Sequence, residues 1–537
     1  MNDTPSGCEA HRLSMVPLWI IVATLLALTL TACASPAKPG PDLDLAAHPH
    51  LARTLAAGHT PADRCALPSS APGGAAVATP SGFVGHVGRW LVDPHGRVLL
   101  LHGVNEVAKR PPYAPCAFGF DTADAAWLAA NGFRVVRLGV LFSGLLPGPG
   151  QVSTVYLSEL ASTVDLLARY HIYTLLDFHQ DGFGPSVGSD GFPPWMTVTG
   201  HAVRVKSSFP LYYIQDPAIQ QAFQSFWDNA DGPGGTRLQQ DAIAGYEAVA
   251  QRFKTDPWVI GYDILNEPWP GTTWQACISA TGCPGLVRSE LMPFYDRVDT
   301  AIRRFDPNHL IFEEPFVLFD FGTAPATEAL PNADPRSGLS FHMYTLSSGD
   351  EPTLIDHAIE WAHHTGGALL NTEWDSTTGV AGVERQSGEL DSALLPWIYW
   401  AFADCSVGCR SAGDQVGIVG SLGADPSGAN LNHPIASSIV QPYPLAIAGT
   451  PTSLTYDATT RVLALTWSTA RAGGGSFAAN TPTTIEVPPA VYPTGYHVHA
   501  TGAAIISKPC SQIVKLVADP RKSQASVSLT PGAGCRR

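Results

Sequence analysis

An α/β fold, a (β/α)8 TIM barrel followed by a small C-terminal β-sandwich, is what this 537-residue sequence predicts. Three observations carry that prediction. Eight short, strongly apolar runs recur from residue 98 onward, and amphipathic segments with apolar residues every three or four positions fall between them. After about residue 435 the texture changes to alternating runs broken by turn residues. Continuous apolar runs suit strands of a parallel sheet covered on both faces, and eight in repeat with helices suit a closed barrel.

The N-terminus reads as an address. His11 and Arg12 precede the apolar stretch 16–32, which ends at Cys33. That stretch is shorter than the roughly 20 residues of a membrane span, so an export signal is expected over 1–33. Leu30-Thr31-Ala32-Cys33 resembles the bacterial lipobox, whose cysteine is lipidated and becomes the mature N-terminus. The expectation is an exported protein, a cell-surface lipoprotein or a secreted one, with membrane association through the N-terminal lipid; an uncleaved anchor helix is the alternative. Residues 34–80 are rich in Ala, Pro, Gly and Ser and have no sustained periodicity, as a flexible linker would.

The chain has 10 cysteines. Without Cys8 and Cys33, an even number remains in an oxidising compartment, which favours disulfides. The spacing suggests Cys65 with Cys116, Cys277 with Cys283, Cys405 with Cys409 and Cys510 with Cys535, and leaves the connectivity open. Zinc is the rival, but the close pairs lie far apart and lack the usual four-ligand pattern.

With 45% hydrophobic and 14% charged residues the chain is globular, and its length exceeds one ordinary domain. A formal charge of −15 argues against nucleic acid or anionic headgroups and favours a neutral substrate.

The barrel domain is expected over 81–435. Its strand runs are 98–105, 133–140, 172–179, 259–268, 310–315, 339–344, 368–374 and 397–402. Helix-like segments include 121–132, 156–170 and 291–306, with Asp121 and Asn131-Gly132 as start and stop signals for the first. The sandwich is expected over 440–537, as a packing domain.

In such a barrel, side chains at the C-terminal strand ends surround the open mouth. Polar residues end nearly every strand: Asn105 and Lys109, Arg137, His179 and Asp181, Asn266 and Glu267, His342 and Tyr344, Glu373, and Trp400. Any one of them could be a satisfied structural group. Their convergence points instead to chemistry. Two glutamates at strand ends suit hydrolysis of a glycosidic bond, in which one carboxylic acid protonates the departing oxygen and one carboxylate attacks the anomeric carbon. The acid must stay protonated near neutral pH and the nucleophile ionised, and Arg137 is a candidate for the second task.

These residues, in this order, resemble glycoside hydrolase family 5. Asn266-Glu267-Pro268, Glu373, Arg137, the His-Gln-Asp at 179–181 and the His-x-Tyr at 342–344 carry the resemblance. Gly103-Val104-Asn105 with Lys109, the stretch 177–181, and Asn266-Glu267-Pro268-Trp269-Pro270-Gly271 are similar to its endoglycoceramidase branch. The resemblance implies Glu267 as general acid and base and Glu373 as nucleophile, with retained stereochemistry. It implies that Asn266 bonds the sugar 2-hydroxyl, Tyr344 orients Glu373 and His342 contacts the acid or substrate. Lys109, His179 and Asp181 would hold sugar hydroxyls, and Trp400 would offer a ring face. No metal or organic cofactor is implied. At the nucleophile the chain departs from the pattern, with Trp374-Asp375 where relatives often have a Phe-Gly-like pair.

Of the neighbouring acids, Glu313 and Glu314 alternate in direction, so at most one faces the mouth, and the face of Asp263 is open. The substrate expected is an oligosaccharide linked to ceramide. Aromatic segments 195–200 and 209–227 could build the apolar side of its site or pack their own loop core. The alternatives are a family 5 β-glycosidase acting on a sterol glucoside or soluble β-glucan, and an inactive surface sugar-binding lipoprotein.

Overall fold

The computed structural model describes Cys65 and residues 80–533, except 234, 280, 323–333, 346–348, 376–378 and 404–416. The export segment, Cys33, Cys405, Cys409, Cys535 and the linker other than Cys65 and residue 80 lie outside the described residues. Among those described, no helix is long and apolar enough to cross a membrane.

Eight parallel strands close into a barrel: His102–Glu106, Val135–Leu141, Tyr173–His179, Val259–Asp263, Leu310–Glu313, Ser337–Met343, Ala368–Trp374 and Trp397–Tyr399. Each coincides with one of the eight apolar runs. The helix Thr122–Ala130 begins at Asp121, whose side chain forms a reciprocal capping box with Asp124, and ends at Asn131. Gly132 follows at φ +85°, a conformation a Cβ disfavours, so the chain can turn sharply into the second strand.

The first apolar run divides in two. Val98–Leu99 belongs to a different sheet from His102–Glu106. It joins Gly85–Val87 and Trp90–Val92 in a seven-stranded sheet with Tyr443–Ile447, Thr483–Glu486, Ile513–Ala518 and Ala503–Ile505. A second sheet of four antiparallel strands completes the sandwich. Both ends of the described chain therefore build the sandwich, and the segment 85–99 belongs to it rather than to the barrel. Nothing in the sequence marks the division, because burial is unbroken from Val98 to Glu106 and no turn residue separates the two strands.

The sandwich seals the N-terminal end of the barrel. Leu91 and Val84 join Val135, Leu175, Ile260, Leu310, Leu370 and Ile398 in an apolar layer inside it. The amide of Leu369 donates to the carbonyl of Arg89 across this junction. Buried polar contacts fix the register of the two bodies. The His102 ring stacks between Trp397 and Tyr443, and Arg134 pairs with Glu486 at 2.6 Å. Asp391 accepts from Trp397 Nε1 and Gln441 Nε2.

Two of the suggested disulfides are present, Cys65–Cys116 and Cys277–Cys283. Cys510 is also disulfide-bonded, and its suggested partner lies outside the described residues. Cys65 is buried, so the segment read as a linker is held against the barrel at that residue.

Candidate active site

The apolar floor gives way, one layer up, to a buried cation. Arg137 projects from the middle of the second strand and is fully buried. Its Nε donates to Asp263 at 2.9 Å, its Nη1 to Glu373 at 3.0 Å and to Asn105 at 3.2 Å. Its Nη2 donates to Asn266 and Glu314, each at 2.9 Å, with Asp177 Oδ1 also 2.9 Å away. Burial alone would weaken the guanidinium's hold on its proton, but four carboxylates raise it instead. Burial pushes Asp263 up to about 8 even beside this cation, because Glu314 and Asp177 crowd the same charge. Ser340 Oγ donates to its other oxygen at 2.7 Å.

Above Arg137 sit the two glutamates. Glu267 follows the fourth strand and Glu373 lies in the seventh, and one carboxylate oxygen of each lies within 4.8 Å of the other and of His342. A bulge aims the second. Pairing between the sixth and seventh strands runs from Asn371 opposite Phe341 to Glu373 opposite His342, so one extra residue is inserted at Thr372. Leu370 faces the interior, and strict alternation would then send Glu373 outward; the bulge reverses the parity. Trp374 consequently points into the barrel wall, buried edge-on against Trp397 and Tyr399. The departure from the family pattern at this position is thus a wall residue.

Glu267 is held in the left-handed region at φ +44°. An L-residue seldom stays there without support. Its amide donates to Glu314 Oε2 at 2.7 Å, and its carbonyl accepts from Gln180 Nε2 at 3.0 Å. Asn266 is clamped to the same glutamine, Gln180 Nε2 donating to its carbonyl at 2.8 Å and its own Nδ2 donating to the Gln180 carbonyl at 3.0 Å.

The environments of the two carboxylates differ. Burial, then the charges of Glu373 and Asp181, push Glu267 up to about 7 against the pull of His342, which contacts Oε1 at 2.9 Å. Glu373 receives Tyr344 Oη at 2.8 Å on one oxygen and Arg137 on the other. Burial would depress the His342 imidazole, but Glu314, Glu373 and its hydrogen bonds hold it well above its ordinary value.

A second polar group lines the mouth beside this pair. Lys109 pairs with Asp181, and its ammonium lies 4.6 Å from the centroid of the Trp400 ring. The Trp400 and His179 rings are parallel at 5.7 Å, and Asp177 contacts His179 Nδ1 at 2.8 Å. Burial would lower His179, but chiefly Asp177 brings it up to about 9. Burial would raise Asp181, but Lys109 and His179 hold it well below the usual carboxylate range. Burial raises neighbouring Asp190 to about 7.

All ten residues singled out in the sequence meet here: Lys109, Arg137, His179, Asp181, Asn266, Glu267, His342, Tyr344, Glu373 and Trp400. Asn105, Asp177, Gln180, Asp263 and Glu314, visible in the sequence but given no role there, also belong to the site, and Asp190 joins them without any signal in the sequence. Of the pair Glu313 and Glu314, the second faces Arg137. Its signal was present, an acid at a strand end, but alternation alone cannot tell which of two adjacent acids turns inward. The aromatic rings of the insertion mostly pack its own core: Tyr212, Tyr213, Phe223, Phe226 and Trp227 are buried.

Two clusters place possible metal-ligand atoms within 4.8 Å of one another, His179–Asp181–Asp190 and Glu267–His342–Glu373. In the first, Lys109 already pairs with Asp181, and in both the neighbouring carboxylates favour the protonated imidazole, which has no lone pair to offer a metal. These donor sets fit a proton-sharing network better than a cation site. A pair of carboxyl groups this close suits double displacement, whereas inversion needs about 6.5–9.5 Å between them to admit water.

Comparison with known proteins agrees with this arrangement. Residues 105–406 match the family model described as cellulase (glycosyl hydrolase family 5), and residues 441–530 match the glycoside hydrolase family 5 C-terminal domain. Endoglycoceramidase I of Rhodococcus hoagii (strain 103S) is 31% identical over 468 residues, covering 82% of this chain and 87% of the relative. Endoglycoceramidase of Cyanea nozakii is 29% identical over 409 residues, 69% of this chain and 78% of the relative. Among solved structures, endo-glycoceramidase II from Rhodococcus sp., as its lactosyl-enzyme intermediate, superposes with a TM-score of 0.66 at 25% identity, covering 83% of this chain and 100% of that one.

Proposed function

The chain belongs to glycosyl hydrolase family 5, and from that premise we propose that it is a retaining endoglycoceramidase, releasing the intact oligosaccharide of a glycosphingolipid from its ceramide. The observation that carries this reading is the pairing of a carboxyl raised to about 7, Glu267, with the carboxylate of Glu373 held by Arg137 and Tyr344 at short range.

In this mechanism Glu373 attacks the anomeric carbon as Glu267 gives its proton to the departing ceramide oxygen. Arg137 and Tyr344 hold the attacking oxygens and aim them. Once the glycosyl-enzyme ester has formed, Glu267, now a carboxylate, takes a proton from water, which displaces Glu373 and restores both groups. Protonated His342, bonded to Glu267, limits how far burial can raise that carboxyl, so the acid remains able to release its proton. Asn266 is placed for the sugar 2-hydroxyl, and Lys109, His179, Asp181 and Trp400 for the sugar at the mouth. We further propose that the protein is exported and, through Cys33, attached to a membrane.

The direct test is incubation of the purified protein with a ganglioside in detergent and, separately, with a soluble β-glucan, followed by mass spectrometry. Intact oligosaccharide together with ceramide is the expected outcome. Cleavage of the glucan alone would remove the glycolipid reading and leave a β-glucanase.

A pH dependence follows from Glu267. A general acid must carry its proton, so kcat/KM for a ceramide leaving group is expected to fall as pH rises through about 7. A glycosyl fluoride, whose leaving group needs no proton, should lack that limb in its first step. An alkaline limb of equal size with both substrates would count against Glu267 as the acid.

A further inference from the structure

The insertion after the third barrel strand turns its apolar side chains the wrong way for a water-facing loop. Val203 and Val205 are 73% and 44% exposed and Phe209 is 56% exposed, while Arg204, between the valines, turns inward to pair with Asp216 at 2.6 Å and to donate to the Ser186 carbonyl. Here the charged Arg204 takes the protein side while the apolar residues flanking it take the solvent side. The surrounding composition is also unusual for this protein. Residues 191–215 contain no Asp or Glu in a chain whose formal charge is −15, and they include Arg204 and Lys206.

This edge connects to the reacting groups through rings. Phe209 lies 5.8 Å from Tyr212 and 6.5 Å from Tyr213, and Tyr213 stacks on Trp269 at 5.1 Å, two residues beyond Glu267. The Tyr213 hydroxyl accepts from the amide of Gly182, beside Asp181. The exposed apolar edge is thus separated from the mouth by one layer of rings.

We propose that Val203, Val205 and Phe209 form a docking edge that inserts into the lipid bilayer carrying the substrate. The inference rests on the glycolipid reading, since only a substrate whose other half is buried in lipid requires the mouth to meet a bilayer. Elsewhere the negative surface is repelled by anionic headgroups, and screening limits that repulsion to about 8 Å at physiological salt, so a carboxylate-free edge is where close approach costs least. Apolar side chains buried at the headgroup boundary then supply the attraction.

Two measurements test it on the full-length protein. Val203→Cys and Ile505→Cys, the latter at an exposed apolar site on the sandwich, are each labelled with an environment-sensitive fluorophore and mixed with phosphatidylcholine vesicles. A blue shift at 203 and none at 505 is expected; no shift at 203, or a shift only at 505, overturns the proposal. In the second, Val203→Ser/Val205→Ser/Phe209→Ser is expected to lower hydrolysis of vesicle-embedded glycolipid about tenfold or more while leaving hydrolysis of a soluble aryl β-glycoside unchanged. Equal losses on both substrates would make the edge a packing element of the site, and a wild-type dimer that this variant dissolves would assign it to a second copy. Either result overturns bilayer docking. Should the protein cleave the aryl glycoside but no glycolipid in detergent, the substrate reading fails, and the fluorophore on bare vesicles still reports on the edge.

Discussion

Glu373→Gln is expected to lower turnover of glycolipid and aryl glycoside alike by at least about 10⁴-fold, because an amide has no ionised oxygen with which to form the glycosyl ester. The substitution is nearly isosteric. Its single oxygen can still accept from Arg137 Nη1, and its amide N–H can donate to Tyr344 Oη, so the melting temperature should stay close to that of the parent protein. Glu373→Ala adds a second readout, since it opens space for an external anion. Azide should then restore turnover with a leaving group that needs no acid and give a glycosyl azide of inverted configuration. Parent-like turnover by the Gln variant, or azide product of retained configuration, would exclude Glu373 as the nucleophile.

The largest effect on stability is expected at Arg137. Arg137→Met leaves Asp177, Asp263, Glu314 and Glu373 facing one another without their shared cation, and breaking even one buried ion pair typically costs about 3–5 kcal/mol. Denaturant unfolding should register a loss of at least that size. The sign of its pH dependence follows from the carboxylates left behind. Burial already holds Asp263 at about 8 beside the guanidinium, and loss of the cation raises it further, so the stability this group contributes is present at low pH and lost as pH rises towards its folded value. The variant should therefore lose more stability than the parent between pH 6 and 9. An Arg137→Met protein as stable as the parent at pH 8 would mean that the four carboxylates do not depend on this cation.

Much of this architecture was legible because barrels repeat a simple physical demand. A strand covered on both faces must be apolar along its length, so Val135–Leu141, Tyr173–His179 and Ala368–Trp374 stood out as runs, and the polar residues closing them marked the mouth. The proposed catalytic pair was legible because its members sit where apolar character stops. What stayed hidden depended on pairing rather than on residue type. The bulge at Thr372 turns Glu373 inward, yet nothing in Asn371-Thr372-Glu373 announces an inserted residue, because a bulge is a relation between two strands. Asp263 and Glu314 were visible as acids but not as partners of Arg137, since their direction follows from register. The split of the first run at Leu100 and Leu101 escaped for a related reason: Val98–Leu99 and His102–Glu106 are buried at every residue, and which sheet each joins is again a matter of pairing.

The sheet built from both ends of the chain bears on the order of events during synthesis. The strand Val98–Leu99 pairs with Tyr443–Ile447, and Leu99 must wait for Ala446, about 350 residues later. At about 5–20 residues per second the ribosome needs roughly 20–70 s to supply that partner. Throughout this interval Leu91, Leu99 and the early barrel strands present an apolar floor and an unpaired edge, the kind of surface that recruits other chains. Completion of the seven-stranded sheet, rather than closure of the barrel, is thus among the last steps of folding, and that edge stays open until the C-terminal strands emerge.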